Sequence, residues 1–226
     1  IIRHVITGAE YAIEFSEEVY ELDIVPGYEF ETNILRFTYT SMTTPRRTYD
    51  FNMTDQSRDL RQEQEIPSGH DPEAYKTRRL SAPSHDGVDV PISLLYHKDT
   101  LLDGSAPVLL YGYGSYGMSV PASFASNRYS LVDRGYIYAI AHIRGGTEKG
   151  YAWYLDGKLK KKRNTFLDFI AAAEHLIAEK FTSAGRIAIH GGSAGGMLVG
   201  ACANMRPNLW GAVVGEVPFV DVLTTM

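Results

Sequence analysis

From residue 107 onward, near-continuous apolar runs alternate with segments whose apolar residues recur every three or four positions. Residues 108–113 and 136–143 read as buried strands, with a helix expected over 123–133 between them. Further along, Phe166, Phe169, Ile170, Ala173, Leu176 and Ile177 fall on one helical face, and Asn164-Thr165 is the expected cap of that helix. Residues 186–190 and 210–217 are two more strand-like runs, flanking a helix-like run at 197–202. Apolar strands separated by helices require a mostly parallel sheet covered on both faces, so the fold class is α/β.

The upstream pattern is different. Residues 11–15, 32–40 and 47–51 alternate polar with β-branched or aromatic side chains, and Pro26-Gly27 and Thr44-Pro45 punctuate them. They read as consecutive antiparallel strands. Such a set fits the last blade of a β-propeller or part of a sandwich, and periodicity does not choose between the two. The polar stretch 54–65, followed by Pro67-Ser68-Gly69, is the expected boundary, giving a first domain over 1–70 and a second over 71–226. A hairpin is expected next, with 75–82 and 88–97 flanking Ser84-His85-Asp86-Gly87, whose Asp-Gly pair favours a tight turn.

Composition narrows the function classes. Of the 226 residues 44% are hydrophobic and 22% charged, as in an ordinary globular protein, and the net charge of −5 disfavours a nucleic-acid partner. The one dense basic run, Lys158-Leu159-Lys160-Lys161-Lys162-Arg163, reads as a solvated edge. The single cysteine, Cys202, reads as a core residue that forms no internal disulfide, which fits the cytoplasm. No apolar run approaches the roughly 18 residues of a membrane span, so no membrane partner is expected. Gly112-Tyr113-Gly114 lacks the third glycine of a dinucleotide site, and no metal-ligand spacing occurs, so neither cofactor nor metal is expected. Both ends read as cut edges.

The chemistry concentrates at Gly191-Gly192-Ser193-Ala194-Gly195, a G-x-S-x-G motif between a strand and a helix. A sharp reversal there presents Ser193 as a nucleophile, and the Ala194 backbone N–H, at the positive end of the helix, can donate to a developing oxyanion. The alternative is a glycine-rich helix start that permits close packing or binds an anion. A second donor is expected from the loop after the first parallel strand, Tyr111-Gly112-Tyr113-Gly114-Ser115-Tyr116-Gly117, which reads equally as a turn with aromatic packing. Arg144 and Glu148 read as a structural ion pair, and His142 as a packed strand residue. His190 lies too close behind Ser193 to turn back as its base. The acid and base of this arrangement follow the serine, yet all seven histidines precede it. The expected architecture is an incomplete α/β-hydrolase fold that ends before its triad Asp and His.

Several motifs in one order carry a closer likeness. The elbow with Asn204-Met205-Arg206-Pro207, the Tyr111–Gly114 loop, and Ala141-His142-Ile143-Arg144-Gly145-Gly146 resemble those of the prolyl oligopeptidase family of serine peptidases, and within it the oligopeptidase B group. Trp153-Tyr154-Leu155-Asp156-Gly157-Lys158 and Val217-Pro218-Phe219-Val220-Asp221-Val222 strengthen the resemblance, which is densest over 75–226. It implies that Ser193 is the nucleophile and that the Tyr113 hydroxyl joins the Ala194 N–H in the oxyanion hole. It also implies that Tyr116 borders the substrate pocket, and that residues 1–70 close a β-propeller admitting only short peptides. Cleavage after Arg or Lys is implied by the subgroup alone. Thr147 stands where the family pattern has a third glycine, so a left-handed backbone there would be strained. Glu216 stands where an amide or another acid is usual. An esterase or acylaminoacyl peptidase of the same fold, and a noncatalytic binding domain, are the competing readings.

Overall fold

The computed structural model describes residues 1–225, which fall into two compact units: residues 1–72 with 122–125, and residues 73–121 with the chain from Ser126 onward. In the first unit β1 (Ile2–Arg3) and β2 (Glu10–Tyr11) form a short antiparallel ladder. Four strands then run as an antiparallel meander in sequence order: β3 (Tyr20–Ile24), β4 (Ile34–Ser41), β5 (Arg47–Asn52) and β6 (Arg58–Glu63). Phe37 and Tyr39, two residues apart on β4, share a face with Phe51, and Ile13 and Phe15 pack onto them. The expected strand over 11–15 is thus a strand only at its first residue; the rest serves the cluster as irregular chain.

Two features of this unit were not legible as pattern. Residues 58–63, within the stretch expected to be the domain boundary, form the edge strand β6, exposed along its whole length. An edge strand lacks a partner on one side and tolerates charge there, so it carries no apolar alternation. Arg58 sets its guanidinium 4.7 Å over the Phe15 ring. Glu17 is ringed by hydroxyls, with Ser41 donating at 2.5 Å, Thr43 at 2.6 Å, Thr44 at 2.9 Å, and Tyr39 closing the set. Burial raises the pKa of that carboxyl, but the four donors outweigh it and hold it below the ordinary glutamate range.

The second unit is a six-stranded mixed sheet. Its strands are β7 (Tyr75–Pro83), β8 (Asp89–His97), β9 (Val108–Tyr111), β10 (Ile137–Ala141), β11 (Ile187–Gly192) and β12 (Trp210–Glu216), in the spatial order β12-β11-β9-β10-β8-β7. The hairpin β7–β8 is antiparallel, with Tyr75 opposite His97 and Gly87 left-handed in the turn at φ 77°. β8 and β10 are also antiparallel, whereas β10, β9, β11 and β12 are mutually parallel. The helices are α1 (Ser126–Val132), α2 (Tyr151–Leu155), α3 (Arg163–Ala178), α4 (Ala194–Met205) and α5 (Val222–Thr225).

Two expected helix starts shift. α1 begins at Ser126 rather than at 123, and the backbone N–H of Phe124 instead donates to the Thr40 hydroxyl. α3 is preceded by Lys162, not capped by Asn164-Thr165, because both side chains are engaged elsewhere. Asn164 donates to the Asp156 carbonyl at 3.0 Å, and the fully buried Thr165 hydroxyl donates to the Arg144 carbonyl at 2.8 Å. The core lies between α3, α4 and the sheet, where Phe169, Leu176, Ile187, Ile189 and Leu198 are fully buried. No described helix is long and apolar enough to cross a membrane.

Candidate active site

Parallel pairing of β10, β9 and β11 brings three loops to one edge of the sheet, the carboxyl edge at which open α/β sheets bind ligands. These are the 112–117 loop, the 142–148 loop and the β11–α4 reversal. At the reversal Ser193 adopts φ 51° and ψ −116°, a left-handed conformation that costs a non-glycine residue about 1–3 kcal/mol. The backbone around it is over-determined. The Ser193 N–H donates to the Glu216 carbonyl at 2.9 Å, and its own carbonyl accepts from Gly196 and Phe219, each at 2.9 Å. Strand and helix cross so closely that a Cβ at Gly191 would collide with the Gly195 peptide. Ser193 itself is exposed. Ala194 opens α4, so its N–H is one of the helix-start donors without an intrahelical acceptor.

Tyr113 sits in the neighbouring loop, against the elbow. An ideal Cβ at Gly195 would lie 3.5 Å from the Tyr113 ring and 2.8 Å from the Gly112 carbonyl oxygen, so the two loops touch. Several groups hold the 112–117 loop in place. The Gly112 N–H donates to the His190 carbonyl at 3.3 Å, and the Gly117 N–H donates to the Gly145 carbonyl at 2.9 Å. Gly145 is left-handed at φ 104°, and a Cβ there would strike the Gly114 carbonyl. Thr147, flagged by its departure from glycine, is not left-handed; its hydroxyl donates to the Gly117 carbonyl at 2.8 Å. Tyr116, left-handed at φ 58° and 60% exposed, lines a cavity of about 320 Å³ together with Ser115, Lys162, Ala194, Met197 and Phe219.

Arg144 does form ion pairs, but not with Glu148. Its guanidinium, 3% exposed, grips the fully buried Asp168 on α3 with two bonds of 2.8 and 2.6 Å and reaches Asp86 in the β7–β8 turn at 2.6 Å. Glu148 instead faces His142, whose Nδ1 is 3.6 Å from Oε1, while His142 Nε2 meets the Ser93 hydroxyl at 2.7 Å. Burial keeps that imidazole's pKa below its usual value despite Glu148. His190 turns toward Glu216, 3.3 Å away, and stacks edge-on against Tyr111. Burial pushes the Cys202 thiol up to about 12, which makes it an inert core group.

Lys162 belongs by sequence to a basic run that reads as a solvated edge, but the structure places it at the site. Its ammonium is half-buried and donates to the Gly114 carbonyl at 2.6 Å and the Ser115 hydroxyl at 2.8 Å. The signal was its spacing: Lys162 precedes Phe166 by four residues and so continues the apolar stripe Phe166, Phe169, Ile170, Ala173.

A serine on a strained β11–α4 turn at the carboxyl edge of a mixed, helix-flanked sheet makes the second unit an α/β-hydrolase fold. Comparison with known proteins is more specific. The model described as Prolyl oligopeptidase family matches residues 122–226. Dipeptidyl aminopeptidase BI of Pseudoxanthomonas mexicana is 47% identical over 221 residues, covering 97% of this chain and 30% of that protein. Protease 2 of Moraxella lacunata is 41% identical over 219 residues, covering 97% and 32%. Among solved structures, oligopeptidase B from Leishmania major aligns with a TM-score of 0.86 at 44% identity, over 94% of this chain and 30% of that one. Oligopeptidase B from Trypanosoma brucei with covalently bound antipain gives 0.87 at 45%, over the same shares. The chain belongs to the prolyl oligopeptidase family, and it spans under a third of the length of these relatives.

Proposed function

We propose that the natural protein carrying this sequence is a serine endopeptidase that hydrolyses short peptides on the carboxyl side of Arg or Lys through an acyl-enzyme. The observation that carries the reading is the left-handed, exposed Ser193 between β11 and α4 in a chain of this family. Its Oγ attacks the scissile carbonyl carbon and forms a tetrahedral oxyanion, which accepts hydrogen bonds from the Ala194 N–H and the Tyr113 hydroxyl. Collapse expels the amine and leaves an ester on Ser193, which water then hydrolyses. The serine proton passes to a general base, and no described histidine is bonded to Ser193; an acid–base pair from the remainder of the natural protein completes this reading.

In the same reading the first unit, a four-stranded antiparallel meander, is the closing part of a β-propeller that limits substrates to short peptides. Tyr116 borders the pocket for the substrate side chain. Among the described residues the cavity it lines carries Lys158 and Lys162 and no carboxylate, so in this reading charge complementary to Arg or Lys is supplied from outside these walls. A cytoplasmic site of action fits the single, buried, unpaired Cys202.

A second reading is favoured by the 47% identical dipeptidyl aminopeptidase: release of dipeptides from a free amino terminus. One experiment separates them. The natural full-length protein and its Ser193→Ala variant are treated with a fluorophosphonate and assayed on peptides with Arg, Lys, Pro or Ala before the scissile bond, with free and blocked amino termini. Labelling only of the unsubstituted protein, with cleavage of blocked Arg and Lys peptides, is expected. Cleavage restricted to free termini supports the dipeptidyl reading, and labelling or turnover that survives Ser193→Ala overturns both.

A further inference from the structure

Lys162 is held under three unfavourable conditions. Its ammonium is half-buried, it stands at the start of α3 where the helix dipole is positive, and no carboxylate among the described residues is bonded to it. Burial alone pushes its pKa down to about 8. A lysine that served only to cover apolar surface would turn its charged end out to water. This one turns inward and donates to two groups of a single turn, the Gly114 carbonyl and the Ser115 hydroxyl.

That turn follows Tyr113 directly. The Gly114 carbonyl is caught between the Lys162 ammonium on one side and Gly145, which has no Cβ to spare, on the other. The two bonds therefore constrain the chain one and two residues beyond Tyr113, at the edge of the cavity that also contains Ala194. We propose that Lys162 is a positioning residue for the oxyanion site: by fixing the Gly114–Ser115 turn it fixes the direction in which Tyr113 presents its hydroxyl. The inference rests on the reading of Tyr113 as an oxyanion donor.

A donor displaced by about an ångström can cost on the order of 10²-fold in rate without loss of substrate affinity. In the natural full-length protein, Lys162→Met is expected to lower kcat about 10- to 10²-fold with KM changed less than about threefold. Lys162→Arg, which keeps a charged donor, is expected to recover part of the loss. The decisive measurement is the double-mutant cycle with Tyr113→Phe. Because Lys162 acts through the hydroxyl, Lys162→Met is expected to add less than about twofold in the Tyr113→Phe background. Should Lys162→Met fail to fold, Ser115→Ala carries the same cycle, since it removes one acceptor of the ammonium and leaves the charge in place. Equal losses in both backgrounds, or a loss confined to KM, overturn the inference. So does wild-type kcat in Lys162→Met together with an impaired Tyr113→Phe, and in that case the oxyanion reading survives. Wild-type kcat in Tyr113→Phe itself removes the oxyanion reading and this inference together.

Discussion

Deleting one oxygen from Tyr113 separates donation from packing. Its ring lies against the elbow at Gly195, and phenylalanine keeps that contact. If the hydroxyl serves the oxyanion, Tyr113→Phe in the full-length protein lowers kcat by about 10²–10³, as the loss of one such donor typically does. Thermal stability stays nearly unchanged. Single-turnover rates check this, because they report chemistry and not product release. Glu17 tests a different residue-scale effect. Its pKa is held below the ordinary value, so it stabilises the fold above about pH 4.3, and that contribution is lost as pH falls through its folded pKa. Denaturant unfolding of wild type and Glu17→Gln should show a stability gap at pH 7 that narrows at pH 3. A gap of the same size at both pH values would mean that the charge is not what the four hydroxyls recognise.

At the scale of elements, the loop after β10 is fastened by charge. Arg144 joins this loop to Asp168 on α3 and to Asp86 in the β7–β8 turn, and Ser84 also donates to Asp168 at 2.6 Å. Removing one partner of a buried pair strands the other, so Asp168→Ala should destabilise the second unit by about 3–5 kcal/mol. Equilibrium denaturation of the full-length protein measures this, and a change within about 0.5 kcal/mol, as for an ordinary surface site, would contradict it. The arrangement also shows why an Arg-x-x-x-Glu spacing misleads. Glu148 lies on the same loop as Arg144, but His142 and the Val120 N–H occupy it, the latter donating at 3.0 Å. The partners that Arg144 does have are 58 and 24 residues away.

For the molecule as a whole, the proposed reading of Ser193 as nucleophile, with Ala194 and Tyr113 as oxyanion donors, has no histidine bonded to the serine among the described residues. Residues 1–226 produced alone should therefore hydrolyse an arginine ester negligibly, while the full-length protein turns it over. Rapid turnover by the isolated 226-residue chain, abolished by Ser193→Ala, would require a base within it, and His190, three residues upstream and paired with Glu216, would then be the group to test.

Local pattern determined a large share of this protein. The β7–β8 hairpin, β9 to β12, α3 and the elbow were all legible, because apolar period and glycine placement are properties of neighbouring residues and survive without tertiary context. The family was legible for a similar reason, since its motifs are short and contiguous. Tertiary structure decided the rest. β6 is polar because it is an edge strand, which shows only once its neighbour is known. Asn164 and Thr165 look like caps in sequence, but their partners, Asp156, Gly157 and Arg144, come from chain folded back against them. Lys162 looks solvated among lysines, and only the approach of the Gly114–Ser115 turn gives its charge a reason to point inward. Periodicity records which face of an element is covered, but not which distant polar group satisfies a buried one, because that pairing is set by how the chain closes on itself.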